Sequence, residues 1–163
     1  MAEGIVVRLA TASDAPVVAR HRVAMFTDMG TLPAEQGPSL LVAAEAYFRR
    51  AIPAGTYVGW LATPAGRAAE VVGGAGIQIR EMIPRLRGDG RGIDGGPQGL
   101  IVNVYTESAW RRRGIAELLM REVLGFTRQR GIDNVVLHAS AEGRALYEKL
   151  GFRQTNEMRY QGP

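Results

Sequence analysis

Val104-Tyr105-Thr106-Glu107-Ser108-Ala109-Trp110-Arg111-Arg112-Arg113-Gly114-Ile115-Ala116 is the stretch of this chain that decides its fold. The residues before it, from Leu100 to Thr106, form a near-continuous apolar run broken only at Asn103, the pattern of a central strand buried on both faces. The residues after it place Ile115, Leu118, Leu119, Val123 and Phe126 at helical spacing, which predicts a helix over 113–130 closed by Gly131. A strand thus feeds through a basic, glycine-containing loop into the best amphipathic helix of the chain. The first turn of such a helix has free N–H groups and the positive end of the helix dipole, which together attract phosphate. Gly114 removes a side chain where a pyrophosphate would approach the backbone, and Ala116 keeps the next position small. Arg111, Arg112 and Arg113 add charge at the same point. Three arginines at a helix start oppose its dipole by roughly 0.3–1 kcal/mol each, so an anion is expected beside them. The plainer alternative is a solvated basic run.

Outward from this stretch, the chain alternates strands and helices. Ile5–Leu9 is a β-branched run ended by the helix-capping types Thr11, Ser13 and Asp14, and a helical pattern continues to about Phe26. Residues 30–39 form a loop, and a second helix from Leu40 to Ala51 stops before Pro53. Tyr57–Ala62 and Val71–Arg80 are strands joined by a turn at Pro64-Ala65-Gly66. Residues 84–99, with six glycines and two prolines, predict a long irregular loop of functional or disordered character. Val135–His138 is a short strand, Glu142–Leu150 a helix closed by Gly151, and Phe152–Tyr160 a last strand. Neither repeats nor an interdomain linker interrupt the pattern, so residues 1–163 form a single mixed α/β domain.

Composition narrows the chemistry. The apolar fraction of 46% and charged fraction of 22% are those of a globular chain. With no cysteine, thiol nucleophiles, disulfides and cysteine metal sites are excluded, no metal is expected, and a reducing cytoplasm suits the chain. The net charge of +4 comes almost wholly from arginine, Lys149 being the sole lysine. Such a surface either favours a polyanionic ligand or reflects composition bias alone. The arginines are spread rather than gathered into an aromatic-interleaved patch, so no nucleic-acid partner is expected. No run approaches the ~18 apolar residues of a membrane span, and Met1–Gly4 lacks a signal-peptide pattern. Gly73-Gly74-Ala75-Gly76 lies inside a strand pattern and lacks the spacing of a dinucleotide-binding turn.

Arg111-x-x-Gly114-x-Ala116 resembles the [Q/R]-x-x-G-x-[G/A] signature of the GNAT superfamily of acyl-CoA N-acyltransferases. The strand end before it and Leu146-Tyr147-Glu148-Lys149-Leu150-Gly151-Phe152 after it stand in that superfamily's order. The resemblance implies a mixed sheet of six to seven strands flanked by about four helices, with acetyl-CoA as co-substrate. It implies that Val104, Tyr105 and Thr106 pair with the pantetheine amides. Arg111, Arg112, Arg113, Gly114, Ile115, Ala116 and Glu117 would hold the pyrophosphate. Tyr147 would sit beside the thioester sulfur and protonate the leaving thiolate. Ser140 occupies the place of a pantetheine-binding asparagine and has a shorter reach.

The activity implied is transfer of an acetyl group to a primary amine of a small molecule or peptide, by direct attack on the thioester. A non-catalytic CoA-binding sensor of the same fold is the alternative. The base is not named by the sequence: Glu107, His138, Glu81 and a positioned water are the candidates, and Asn103 lies on the central strand. Acceptor specificity is expected from residues 21–39, with His21, Arg22, Phe26 and Asp28 as pocket candidates, and from the 84–98 segment with Arg85, Arg87 and Arg91. Only eleven residues follow Phe152, so a closing strand is missing, very short, or supplied by a partner chain in a homodimer.

Overall fold

The computed structural model describes residues 3–87 and 89–162. Strands β1 (Ile5–Leu9), β2 (Tyr57–Pro64), β3 (Gly73–Leu86), β4 (Ile93–Thr106) and β5 (Asn134–Leu137) form one five-stranded sheet in the order β1-β2-β3-β4-β5. The first four are antiparallel neighbours; β5 is parallel to β4 and reached through a helical crossover. Helices α1 (Ala15–Asp28) and α2 (Gly37–Ala51) follow β1, α3 (Ile115–Gln129) links β4 to β5, and α4 (Arg144–Lys149) comes last.

The sheet is a wall between two apolar clusters, and alternation along the strands supplies both faces. On β2, Tyr57 and Leu61 pack with Val18 and Ala19 of α1 and Phe48 of α2. Trp60 and Ala62 point the other way, to Leu119, Met120 and Val123 of α3. The glycine cluster serves this packing. The Tyr57 ring lies across Gly76, where an added Cβ would stand 2.0 Å from the phenol oxygen.

Two sequence expectations are corrected. Residues 84–99 are not an irregular loop: β3 and β4 run on as a hairpin to the pair Leu86–Ile93. Pro84 falls in a register shift between Met82 and Arg85, where a missing N–H is harmless, and past Leu86 the Arg87 N–H donates to the Gly92 carbonyl at 3.0 Å. Glycine and proline are depleted in strands, so their density hid the ladder. A chain of side chains centred on the buried Gln98 ties its base across three strands: Arg80 Nε donates to Gln98 Oε1 at 2.6 Å, and Gln98 Nε2 to Asn134 Oδ1 at 2.9 Å. The second correction concerns strand number. Residues 152–160 form no strand, so the described sheet has five strands rather than six to seven, and β5 has no strand partner on its outer edge among the described residues.

His21 is the most buried titratable group of α1, its side chain 1% exposed. Its ring lies 5.1 Å from that of Tyr105, and Gly74 leaves room for it, an added Cβ there falling 3.2 Å from Nδ1. Burial pushes its pKa down to about 4, and the charge of Arg20 pushes the same way. The Glu107 carboxylate lies 3.4 Å from Nε2 without forming a hydrogen bond to it. Because the folded value lies below the unfolded ~6.5, the unfolded chain takes the proton first. Stability is then complete above pH ~6.5 and falls as the pH drops towards 4, by about 3 kcal/mol at most. An NMR titration of the His21 ring should show a midpoint near 4; a midpoint near 6.5 would contradict this burial.

Candidate cofactor groove

The groove begins with a defect in β4. Its register with β3 passes from Tyr105–Gly74 to Val102–Gly76, so Asn103 and Val104 together oppose Ala75. Such a bulge bends its strand. Asn103 takes the strained turn at φ 61, a left-handed conformation that asparagine tolerates better than most residues. Its buried side chain secures the bend: Nδ2 donates to the Val18 carbonyl of α1 at 3.0 Å. On the other side, β5 pairs with β4 only from Gln98 to Ile101. Beyond Ile101 the two parallel strands part, and the outward backbone groups of 102–106 have no strand partner. A groove of about 1070 Å³ occupies the opening.

At its end, β4 enters the arginine loop. A 3₁₀ turn over Ser108–Trp110 leads to Arg111 in extended conformation, then Arg112 at φ 63 and Gly114 at φ 79. Alternation of this kind turns successive N–H groups to one side as an anion-binding concavity. Among the described residues, no protein acceptor takes the N–H groups from Arg112 to Glu117; the helical ladder begins with Leu118 donating to Gly114. Ile115, buried against Gly73, anchors the first turn of α3. The arginines stand before the helix rather than in its first turn, which relieves the expected clash with its dipole.

The three arginines divide their work. Arg111 ion-pairs with Asp28 at the end of α1, and its Nε donates to the Thr106 carbonyl at 3.1 Å, so it straps α1 to the loop. Arg112 lines the groove and has no carboxylate partner among the described residues. Arg113 lies over the Trp110 ring at 4.9 Å, outside the lining. Glu117 lines the groove but is held by Lys149 and Arg121, both at 2.7 Å, hydrogen bonds that lower its pKa and tie α3 to α4. Val104, Tyr105, Thr106, Gly114, Ile115 and Ala116 line the groove as well. The Thr106 hydroxyl is buried there without a partner.

Across the opening stands Tyr147 of α4. Burial raises its pKa, so the phenol keeps its proton at neutral pH. Its ring needs Gly143, where a Cβ would fall 2.8 Å away. Ser140 also faces the groove, but its Oγ accepts the Gly143 N–H at 3.2 Å and caps the turn into α4. His138 lies at the groove with Nε2 2.8 Å from Glu157 Oε1. Of the other base candidates, Glu107 does not line the groove: it pairs with Arg20 at 3.5 Å and faces His21. Glu81 sits exposed on β3. Arg22, Phe26 and Asp28 line the groove as expected, whereas His21 is core and Arg85, Arg87 and Arg91 stand on the hairpin away from it. Sequence reasoning missed Met25, Met29, Glu142 and Arg159. The methionines share a helix face with Arg22 and were legible in principle; Arg159 lies in the segment expected to be a strand.

The Acetyltransferase (GNAT) family model matches residues 23–152, a span that includes the bulge, the arginine loop and Tyr147. The chain belongs to the GNAT family. Among solved GNAT folds it is similar to a GCN5-related N-acetyltransferase from Ralstonia eutropha, 29% identical over 96% of this chain and 97% of that one, with a TM-score of 0.84. A predicted acetyltransferase from Clostridium acetobutylicum, solved with acetyl-CoA, is 25% identical over 97% and 96% of the two chains, with a TM-score of 0.79. Among curated proteins, glucosamine 6-phosphate N-acetyltransferase of Trypanosoma brucei brucei is 31% identical over 90 residues, 55% of this chain and 54% of that protein. Human N-acetyltransferase 8 is 35% identical over 60 residues, 35% of this chain. The chain thus spans about half and about a quarter of these two curated relatives. Among the described residues, no helix of this GNAT chain is long and apolar enough to cross a membrane, and no cluster of three potential metal ligands occurs.

Proposed function

We propose that this protein is an N-acetyltransferase that moves the acetyl group of acetyl-CoA to a primary amine of a small molecule or peptide. The observation that carries this reading is one continuous groove with three successive features: an unpaired strand edge, a cradle of free N–H groups and a half-buried neutral phenol. A pantetheine arm is a chain of amides, and the open edge at Val104, Tyr105 and Thr106 offers it strand-like pairing. The N–H groups from Arg112 to Glu117 suit a pyrophosphate, with Gly114 allowing close approach and Arg112 adding charge. Arg111 acts on this site by positioning, since its guanidinium is engaged by Asp28 and Thr106. Ser140 contributes little to pantetheine while its hydroxyl accepts from Gly143.

In the reaction the amine nitrogen forms a bond to the thioester carbon, and the carbon–sulfur bond breaks as the tetrahedral intermediate collapses. A free backbone N–H at the bulge, near Val104, stabilises the oxyanion. Tyr147 gives its proton to the departing thiolate. The attacking amine loses its proton to His138, directly or through water, with Glu157 orienting the imidazole as carboxylates do in hydrolytic triads. Glu107 takes no part in the transfer. The match to an amino-sugar-phosphate acetyltransferase supports an amine acceptor. A cytoplasmic setting is part of the proposal and rests on composition.

Tyr147→Phe separates an enzyme from a CoA-binding sensor. The rate of thiol release should fall on the order of 100-fold while CoA affinity stays within about threefold; an unchanged rate removes Tyr147 as the acid. The open edge of β5 further supports a homodimer in which a partner covers that edge. Sedimentation at micromolar concentration should give twice the chain mass, and a monomer would refute the pairing.

A further inference from the structure

Arg22 is an arginine without a counterion in the wall of the groove. It lies on α1, half-buried, on the face of the sheet opposite α3. The loop suited to the pyrophosphate opens α3, so the two sites belong to different faces. Its guanidinium makes one hydrogen bond, from Nη1 to the neutral Asn103 Oδ1 at 3.3 Å, and lies 5.0 Å from the centre of the Phe26 ring. No carboxylate comes within ion-pair distance of it among the described residues. Three acids near the groove are committed elsewhere, Asp28 to Arg111, Glu107 to Arg20 and Glu117 to Lys149 and Arg121, and Glu142 of the lining makes no ion pair with Arg22.

A guanidinium carries five N–H donors in a rigid fork, and burying it without an anion is unfavourable unless the partner arrives with the ligand. The fork is also held in place. Asn103 is fixed by the Val18 carbonyl, so its Oδ1 presents a stationary acceptor to Arg22, and the Phe26 ring supports the planar group. Met25, Phe26 and Met29 line the same wall, which gives an apolar surface beside the cation.

We propose that the acceptor amine of this enzyme also carries a carboxylate or phosphate group, which Arg22 binds, and an apolar portion that rests on Met25, Phe26 and Met29. This rests on the acetyl-transfer reading and specifies its second substrate. Arg22 is a specificity residue, placed at the bulge where β4 opens, so that an anion bound there orients the amine towards the thioester. The fork accommodates either anion in bidentate fashion.

The test uses the full chain with acetyl-CoA and matched acceptors: leucine against leucinamide for the carboxylate, and glucosamine 6-phosphate against glucosamine for the phosphate. The wild type should favour the anionic member of at least one pair at least tenfold in kcat/KM, and the favoured pair identifies the anion. In Arg22→Gln that preference should fall to near unity, mainly through KM, and Arg22→Lys should restore part of it. 4-Methylpentanoate or glucose 6-phosphate, which lack the amine, should compete with the favoured acceptor in the wild type whether or not the variants fold. Equal use of both members in each pair, or turnover of neutral amines only, overturns the proposal. So does an absence of turnover across the panel while CoA still binds by calorimetry. Failure to bind CoA overturns the acetyl-transfer reading itself.

Discussion

The hydrogen bond from Asn103 to the Val18 carbonyl is the contact on which the rest of the site depends. It holds a left-handed residue in the middle of a central strand, at a conformational cost on the order of 1 kcal/mol, and joins the sheet to α1 where the strand bends. Without the bend, β4 would continue alongside β5 and its backbone groups would be consumed by the ladder. With it, the strand keeps β3 on one side and loses β5 on the other. A sheet edge then lies open in the wall of the groove.

Charge is distributed to fit this opening. Some of the cations around the groove are already engaged: Arg111 by Asp28, and Lys149 and Arg121 by Glu117. These pairs are partly exposed and contribute little stability individually, but each joins two elements or two turns that border the groove. Three arginines of the lining have no carboxylate partner among the described residues: Arg112 by the N–H cradle, Arg22 on the α1 side, and Arg159; the first two mark places at which anionic groups would be received. The wall also carries the half-buried Tyr147 phenol, whose proton is retained, with His138, Glu142 and Arg159. This pattern suits two anionic groups received at separate places on one groove.

Much of this was legible in the chain itself. Leu100–Thr106 followed by Gly114 and the spacing of Ile115, Leu119 and Val123 fixed a strand, a loop and a helix in their observed order, because burial on both faces and a 3.6-residue period leave few alternatives. The hairpin extension was not legible, since Gly96 and Pro97 carry no strand signal and are held there by register with β3 alone. The final segment failed for the opposite reason: Phe152–Tyr160 has strand-like composition but finds no partner among the described residues. Glu107 reads from sequence as a base near the centre, whereas the turn after β4 carries its side chain towards α1. Such three-dimensional assignments depend on where a bend falls, and a bulge set by one asparagine has no periodic signature.

Backbone amide hydrogen exchange with and without CoA is the most direct measurement of whether the open strand and the N–H cradle receive the cofactor. Addition of CoA should slow exchange at the amides of Val104–Thr106 and of Arg112–Glu117, leaving the β1–β2 ladder unchanged. Unaltered exchange in both segments at saturating CoA would contradict the account.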